Sequence, residues 1–182
     1  LLDAGANPNT RIATGETPLM TCASTGSADA ARLLIARGAD VNAKEPSQNQ
    51  DALMWAASER HPTVVRLLVE AGANAQARTK KGFTALHFAA REGDTESVQQ
   101  LLASGANVNI RSVPEKASET GQSTNASAGG GRSASGTAAA AVAPRGPGYQ
   151  ATISEGSTPL LVATVRGHVP LALFLLEHGA DP

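Results

Sequence analysis

The sequence is poor in the residue types that many active sites and nucleic-acid interfaces use. Aromatic side chains make up only 3% of the 182 residues, and Cys22 is the single cysteine. One cysteine forms no internal disulfide, and it does not indicate a compartment, so the sequence predicts no localisation. Few aromatics leave little surface for stacking bases, and a formal net charge of −1 gives no general attraction for polyanions. We therefore expect no nucleic-acid partner.

Long apolar runs are also missing. No stretch approaches the roughly 18 apolar residues that cross a bilayer, so we expect no membrane insertion. The chain begins at Leu1, in a sequence typical of a helix end, and stops at Pro182, within a repeat exit. We interpret it as a fragment of a longer protein, so the absence of a targeting signal carries no information.

One pattern is copied along the sequence. A Gly-Ala-Asn or Gly-Ala-Asp triplet recurs at Gly5, Gly38, Gly72, Gly105 and Gly179. A helix-start residue recurs in the same register at Thr17, Asp51, Thr84 and Thr158. Successive copies lie 33 or 34 residues apart, except for a final interval of 74, which equals one period plus 41 residues. Two markers in one register indicate a repeat array with one insertion.

The copies resemble the ankyrin repeat. Thr17-Pro18-Leu19-Met20-Thr21-Cys22-Ala23, Thr84-Ala85-Leu86-His87-Phe88-Ala89-Ala90 and Thr158-Pro159-Leu160 are similar to its first helix, and Gly105-Ala106-Asn107-Val108-Asn109 is similar to its exit. The variant Ala52-Leu53-Met54-Trp55-Ala56-Ala57 is similar to bacterial members. The resemblance implies an all-α ankyrin repeat solenoid of stacked helix-turn-helix units with β-hairpin fingers, interrupted by one disordered insertion.

The spacing divides the chain into four segments. Residues 1–10 are the tail of a preceding repeat, and residues 11–111 hold repeats 1 to 3. Residues 112–152 form a Ser/Gly/Ala-rich insertion that we expect to be disordered, because it lacks the large apolar residues needed to offset its ordering entropy. Residues 153–182 form repeat 4, which is incomplete at its exit. The insertion falls at a hairpin tip, so the flanking repeats can still stack.

Several residues have predicted structural roles. Thr17 and Asp51 are expected to cap their helices, and Pro18 occupies the first helical position, where its missing N–H costs nothing. Asn49 replaces the glycine of the other hairpins, at a position that needs a positive φ. The resemblance implies that His87 is a structural residue that hydrogen-bonds the turn.

The predicted binding surface lies on the concave side, where hairpin tips form fingers and first helices form a palm. Side chains there differ between copies while the frame does not. Aromatic and arginine residues are favoured at interface hot spots. The candidate partner-binding residues are Gln48, Gln50, Trp55, Glu59, Lys80, Lys81, Phe83, Phe88, Arg91 and Arg166. We expect a protein partner with apolar and acidic groups. The alternative is that Trp55 and Phe88 merely fill the gap between adjacent first helices.

Little is left over to build an active site. The histidines form no metal-ligand spacing with Cys22 or with carboxylates, and Gly129-Gly130-Gly131 is not followed by the residues of a phosphate loop. We therefore predict a non-enzymatic protein-protein interaction module, monomeric, without metal or cofactor. Two alternatives stay open: a regulatory or substrate-docking segment of a larger protein whose catalytic domain lies elsewhere, and a purely structural spacer.

Overall fold

The computed structural model describes residues 6–113 and 156–182. Residues 1–5 and 114–155, which include most of the predicted insertion, lie outside the described residues. The described part contains eight helices: α1 Pro18–Thr25, α2 Ala28–Ala36, α3 Ala52–Ser58, α4 Pro62–Glu70, α5 Ala85–Glu92, α6 Thr95–Ala103, α7 Pro159–Val165 and α8 Val169–Glu177. They form four helix pairs, so the predicted all-α repeat architecture is confirmed.

The first helix of each pair starts at the residue that the sequence predicts. The backbone N–H of Met54 donates to the Asp51 carboxylate at 2.9 Å, and that of Leu161 donates to the Thr158 hydroxyl at 3.2 Å. Thr17 makes the equivalent, longer bond with Met20 at 3.4 Å. Each bond satisfies a backbone donor that has no partner within the helix.

Two columns of leucines run through the core. Leu19, Leu53, Leu86 and Leu160 are buried at one position of the first helices. Leu34, Leu68, Leu101 and Leu175 are buried at one position of the second helices. Helices α1, α3, α5 and α7 pack in succession, and α2, α4 and α6 pack in succession behind them. Each repeat therefore buries its apolar face against its neighbours, at about 1.5–3 kcal/mol per large side chain.

Histidine side chains join two pairs of neighbouring repeats. The Nε2 of His61 donates to the Ser24 carbonyl at 3.1 Å, and that of His168 donates to the Arg91 carbonyl at 2.9 Å. Their rings lie over Gly26 and Gly93, both with a φ of 71°, where an added Cβ would come within 2.7 Å of the imidazole. Glycine is needed there for the backbone conformation and for the approach of the ring.

Asparagine side chains clamp successive repeat exits. The Nδ2 of Asn9 donates to the Gly38 carbonyl at 3.1 Å, and that of Asn42 donates to the Gly72 carbonyl at 3.3 Å. Asn109 makes the same bond to Gly179 at 3.0 Å. The last clamp joins repeats on either side of residues 114–155, so repeats 3 and 4 stack in the same register as the others.

The fingers between helix pairs are tight turns. We number them 1 to 4 along the chain. Fingers 1 to 3 comprise residues 12–16, 45–50 and 79–83, and finger 4 comprises residues 112–113 with 156–157. Within the described residues, the β-pairing of these hairpins is limited to one isolated antiparallel bridge, Lys44 with Asp51. Asn49 has a φ of 65°, which confirms the positive φ predicted for this position.

Finger 4 closes with the same hydrogen bonds as finger 3. The N–H of Thr79 donates to the Phe83 carbonyl at 2.8 Å, and the N–H of Ser112 donates to the Ser157 carbonyl at 3.0 Å. The Thr79 and Ser112 hydroxyls accept from Phe83 N–H and Ser157 N–H, each at 3.0 Å. Ser112, which the sequence analysis placed in the insertion, therefore occupies a finger position.

His87 has the predicted structural role. Its Nδ1 accepts the Thr84 N–H at 3.2 Å, so the ring proton lies on Nε2, which donates to the Ser157 carbonyl at 2.9 Å. This buried ring therefore ties the start of α5 to finger 4. Burial lowers the pKa of His87 to about 4, and the imidazole stays neutral in the fold.

Candidate functional site

The palm has one column of side chains that changes from repeat to repeat. Thr21, Trp55, Phe88 and Val162 occupy the same position on α1, α3, α5 and α7. Thr21 is exposed and Val162 is buried, whereas Trp55 and Phe88 are half-buried and pack against the core. The two aromatics thus lie on adjacent first helices. Each side chain packs against the core and is partly exposed on the concave surface.

Trp55 and Phe88 combine the two roles that the sequence left open. Each packs against core residues, as expected of a side chain that fills the gap between helices. Each also keeps an accessible part. The indole Nε1 of Trp55 is buried without a hydrogen-bond partner, a state that costs free energy.

Phe88 belongs to a cluster of rings and cations on α5 and finger 3. Its ring centroid lies 6.4 Å from that of Phe83, and Phe83 meets His87 edge-on at 5.5 Å. The guanidinium carbon of Arg91 lies 5.2 Å above the Phe88 ring. The Nε of Arg91 also pairs with the Glu92 carboxylate at 2.7 Å. Phe88 and Glu92 thus hold the Arg91 side chain in place, and Glu92 offsets its charge.

Finger 2 is held rigid by the buried carboxylate of Glu45. It accepts the Ser47 hydroxyl and N–H, the Gln48 N–H at 2.8 Å and the Gln50 N–H at 2.9 Å. Burial alone would raise the pKa of Glu45, but these hydrogen bonds outweigh it and lower the pKa. Gln48 and Gln50 are therefore presented on a fixed backbone.

Fingers 2 and 3 are bonded to each other. The N–H of Lys80 donates to the Gln48 carbonyl at 2.9 Å, and its Nζ donates to the Pro46 carbonyl at 2.6 Å. Lys80 is thus partly committed to a structural contact. Carbonyl partners leave its charge in place, because they supply no counter-charge.

Two family models of ankyrin repeats match the chain. Residues 1–79 and 38–112 match the family model "Ankyrin repeats (3 copies)", and residues 155–182 match "Ankyrin repeat". The chain belongs to the ankyrin repeat family. Ankyrin repeats are in general protein-protein interaction modules, and this chain has their stacked helix pairs and fingers.

The ankyrin relatives are longer proteins. The chain is 46% identical over 107 residues, 58% of its length, to "Ankyrin repeat and KH domain-containing protein mask-1" of Caenorhabditis elegans, of which the match covers 4%. It is 47% identical over 85 residues, 46% of its length, to "Ankyrin repeat and KH domain-containing protein 1" of Homo sapiens, covering 3% of that protein. A "Putative ankyrin repeat-containing protein" of Treponema pallidum is 38% identical over 106 residues, 58% of this chain and 36% of that protein. Animal and bacterial relatives both appear, so the predicted bacterial type stays a prediction.

The side chains of the three remaining candidate residues have no polar partner among the described residues. Glu59, Lys81 and Arg166 are exposed, and their side chains make no hydrogen bond or ion pair with other described residues. Glu59 lies at the end of α3, near Trp55, and Lys81 lies on finger 3, near Phe83. Arg166 follows α7, so it lies one repeat beyond the cluster around Phe88. The structure therefore concentrates the candidates on repeats 2 and 3.

A separate hollow lies at the last repeat of the array, away from that cluster. Its volume is about 540 Å³, and its lining includes Arg111, Leu160, Leu161, Leu176 and Asp181. Leu161 is 48% exposed, whereas His87, at the same position in repeat 3, is buried. In repeat 3 the following repeat provides the cover. The hollow is the stacking face of an ankyrin unit, so we do not place the binding site there.

The described residues contain neither a metal-ligand cluster nor a membrane-spanning helix. No group of three or more His, Cys, Asp or Glu side chains in 6–113 and 156–182 could hold a metal ion. Burial raises the pKa of the Cys22 thiol, which keeps it protonated and a poor nucleophile. Of the eight helices described, none has the length and apolar character to cross a bilayer.

Proposed function

We propose that the concave surface of repeats 2 and 3 binds a protein partner, and that the chain is a non-enzymatic recognition module. The observation that carries the proposal is the pair Trp55 and Phe88. They are half-buried on the palm, at a position that Thr21 occupies in repeat 1. Partly exposed large aromatics, supported by a packed core, are what interface hot spots use. The frame is already rigid, so little ordering entropy opposes binding.

The surroundings of the pair favour a partner with both apolar and polar groups. The accessible parts of the Trp55 and Phe88 rings favour apolar groups of a partner. Arg91, positioned on Phe88, retains guanidinium N–H groups beyond the one that Glu92 accepts. Gln48 and Gln50 extend the surface onto the rigid finger 2. Acidic, apolar segments of a protein satisfy all of these groups.

Affinity capture with a matched pair of variants tests the proposal. The first bait carries Trp55→Thr and Phe88→Thr, which install the residue that repeat 1 has at this position. The control carries Leu33→Thr, which removes an exposed apolar side chain from α2, outside the palm. Both baits should keep wild-type helicity by circular dichroism. A protein retained by wild type and by the control, but lost by the palm variant, supports the proposal; equal retention by all three baits refutes it.

A docking role within a larger protein is the second candidate. The chain spans between 3% and 36% of the lengths of the three relatives described above. A recognition surface in such a protein can serve a domain elsewhere in the chain. Capture by the isolated array identifies an external partner, whereas capture of a segment of its own parent protein supports the docking role.

A further inference from the structure

A row of basic side chains runs along the fingers. Arg11, Lys44, Arg78 and Arg111 recur every 33 or 34 residues, at the start of each finger. The Nη1 of Arg11 donates to the Lys44 carbonyl at 2.8 Å, the Nζ of Lys44 to the Arg78 carbonyl at 3.3 Å, and the Nη1 of Arg78 to the Arg111 carbonyl at 2.8 Å. Each of the first three side chains thus holds the backbone of the next member in place.

Two further basic side chains add to this row at finger 3. Lys80 and Lys81 lie on that finger, directly after Arg78, which also bonds the Gly82 carbonyl at 3.4 Å. We call Arg78, Lys80, Lys81 and Arg111 the basic edge. Among the described residues, the side chains of Arg78 and Lys80 bond main-chain carbonyls, which fix them without cancelling their charge. The side chains of Lys81 and Arg111 form no hydrogen bond or ion pair with described residues.

The acidic groups that the structure describes around finger 3 do not neutralise its cations. Glu45 is buried and committed to the amides of finger 2. Asp51 is buried as the cap of α3. Asp181 lines the same hollow as Arg111, but the two side chains form no ion pair. Burial lowers the pKa of His87, and the charge of Arg78 adds a smaller effect in the same direction.

We propose that the basic edge binds an acidic, extended segment of the partner, next to the aromatic surface of the palm. This inference rests on the proposed function and adds the charge and the place of the contact. Carboxylates suit these cations, because ammonium and guanidinium groups form their strongest hydrogen bonds with ionised oxygens. Phe83 is half-buried on the same finger, and it offers an apolar contact between the cations and Phe88.

A protein segment fits this surface better than a nucleic acid does. Nucleic-acid binding draws on many phosphate contacts and on aromatic platforms for the bases. The basic edge has four cations, and the described residues include four Phe or Trp side chains, of which Phe83 is the one on this finger. The chain as a whole carries a formal charge of −1, which gives no general attraction for a long polyanion.

Fluorescence anisotropy with defined probes tests the inference. Three labelled peptides share one length and one spacing of leucines, and they carry aspartate and glutamate, glutamine, or lysine at the remaining positions. The fourth probe is single-stranded RNA of similar length. We expect the acidic peptide to bind at least about tenfold more tightly than the glutamine peptide, with affinity that falls as salt rises. Equal affinity for the acidic and glutamine peptides, or tighter binding of the RNA, would overturn the proposal.

Charge reversal locates the contact. Lys81→Glu with Arg111→Glu changes the two members of the basic edge whose side chains have no partner among the described residues. Arg32→Glu with Arg66→Glu makes the same charge change on α2 and α4. We expect the first variant to weaken the acidic peptide about five- to tenfold and the second to leave it within about twofold. Equal weakening by both variants means a general charge effect, which contradicts a site on the basic edge.

The same variants separate this inference from the proposed function. A captured protein that is lost with Trp55→Thr and Phe88→Thr, but kept at wild-type affinity by the Lys81→Glu and Arg111→Glu variant, leaves the palm as the binding surface and overturns the acidic contact. The opposite result, in which the palm variant binds the protein normally and charge reversal weakens it, supports the basic edge and refutes the role of the aromatic pair.

Discussion

Two buried titratable side chains give this protein opposite responses to acid. Burial, with a smaller contribution from the charge of Arg78, lowers the pKa of His87 from 6.5 to about 4. Burial raises the pKa of Asp51 from 3.8 to about 6, although the Met54 N–H and Lys44 act in the other direction. Asp51 and His87 belong to different repeats. A variant that lacks one of these side chains therefore shows the pH dependence of stability that the other contributes.

The sign of each effect follows from which state takes up the proton first. The unfolded chain protonates at His87 first, so stability is lost as the pH falls from about 6.5 to about 4. The folded chain protonates at Asp51 first, so stability is gained as the pH falls from about 6 to about 4. Between pH 7 and pH 5 these values give a loss of about 2 kcal/mol from His87 and a gain of about 1 kcal/mol from Asp51.

The chain supplies a matched substitution for each group. Asp51→Thr keeps a helix cap, as at Thr17, and removes the gain, so this variant should lose about 1 kcal/mol more than wild type between pH 7 and pH 5. His87→Met installs the residue found at Met20 and Met54, and it should lose about 2 kcal/mol less than wild type.

Urea unfolding followed by far-UV circular dichroism at the two pH values measures these differences, because groups shared with wild type cancel. The reasoning is refuted if Asp51→Thr has the pH dependence of wild type, or if His87→Met becomes more sensitive to acid.

Three further predictions concern the frame. Gly26→Ala places a Cβ within 2.7 Å of the His61 ring, so it should cost about 1–2 kcal/mol more in urea unfolding than Gly38→Ala, whose Cβ meets nothing within 4 Å; equal costs would contradict the joint. Removing residues 114–154 should leave the helical signal per described residue unchanged, because finger 4 already closes like finger 3; loss of helicity contradicts this stacking. Asn42→Ala should lower stability by about 1 kcal/mol, since it removes two hydrogen bonds between repeats; an unchanged urea midpoint would contradict the clamp.

The sequence predicted the frame well, because local rules repeat in every copy. Thr17, Asp51 and Thr158 begin helices where their spacing placed them. To form, each repeat needs only a helix cap, a glycine at its exit and a column of apolar residues. Because five Gly-Ala-Asn or Gly-Ala-Asp triplets share one register, the repeat pattern could be recognised across an interval of 74 residues.

The details of the candidate site were less predictable. The ion pair of Arg91 with Glu92 and the burial of the Glu45 carboxylate within finger 2 depend on rotamers and turn geometry, which periodicity does not report. The sequence identified Arg91 as a candidate binding residue, but it did not indicate the ion pair with Glu92. Variation between copies shows which positions the frame leaves free. It does not show which of them a partner contacts, so the binding residues remain a proposal.

The central claim is that the aromatic pair on the palm carries recognition, and the affinity of the captured partner tests it most directly. Isothermal titration of that partner should be measured with wild type, with the Trp55→Thr and Phe88→Thr variant, and with Leu33→Thr as the control. Loss of a hot-spot aromatic costs about 2 kcal/mol or more, so the account predicts a Kd at least about thirtyfold weaker for the palm variant and unchanged for the control. A palm variant that binds within about twofold of wild type would contradict it.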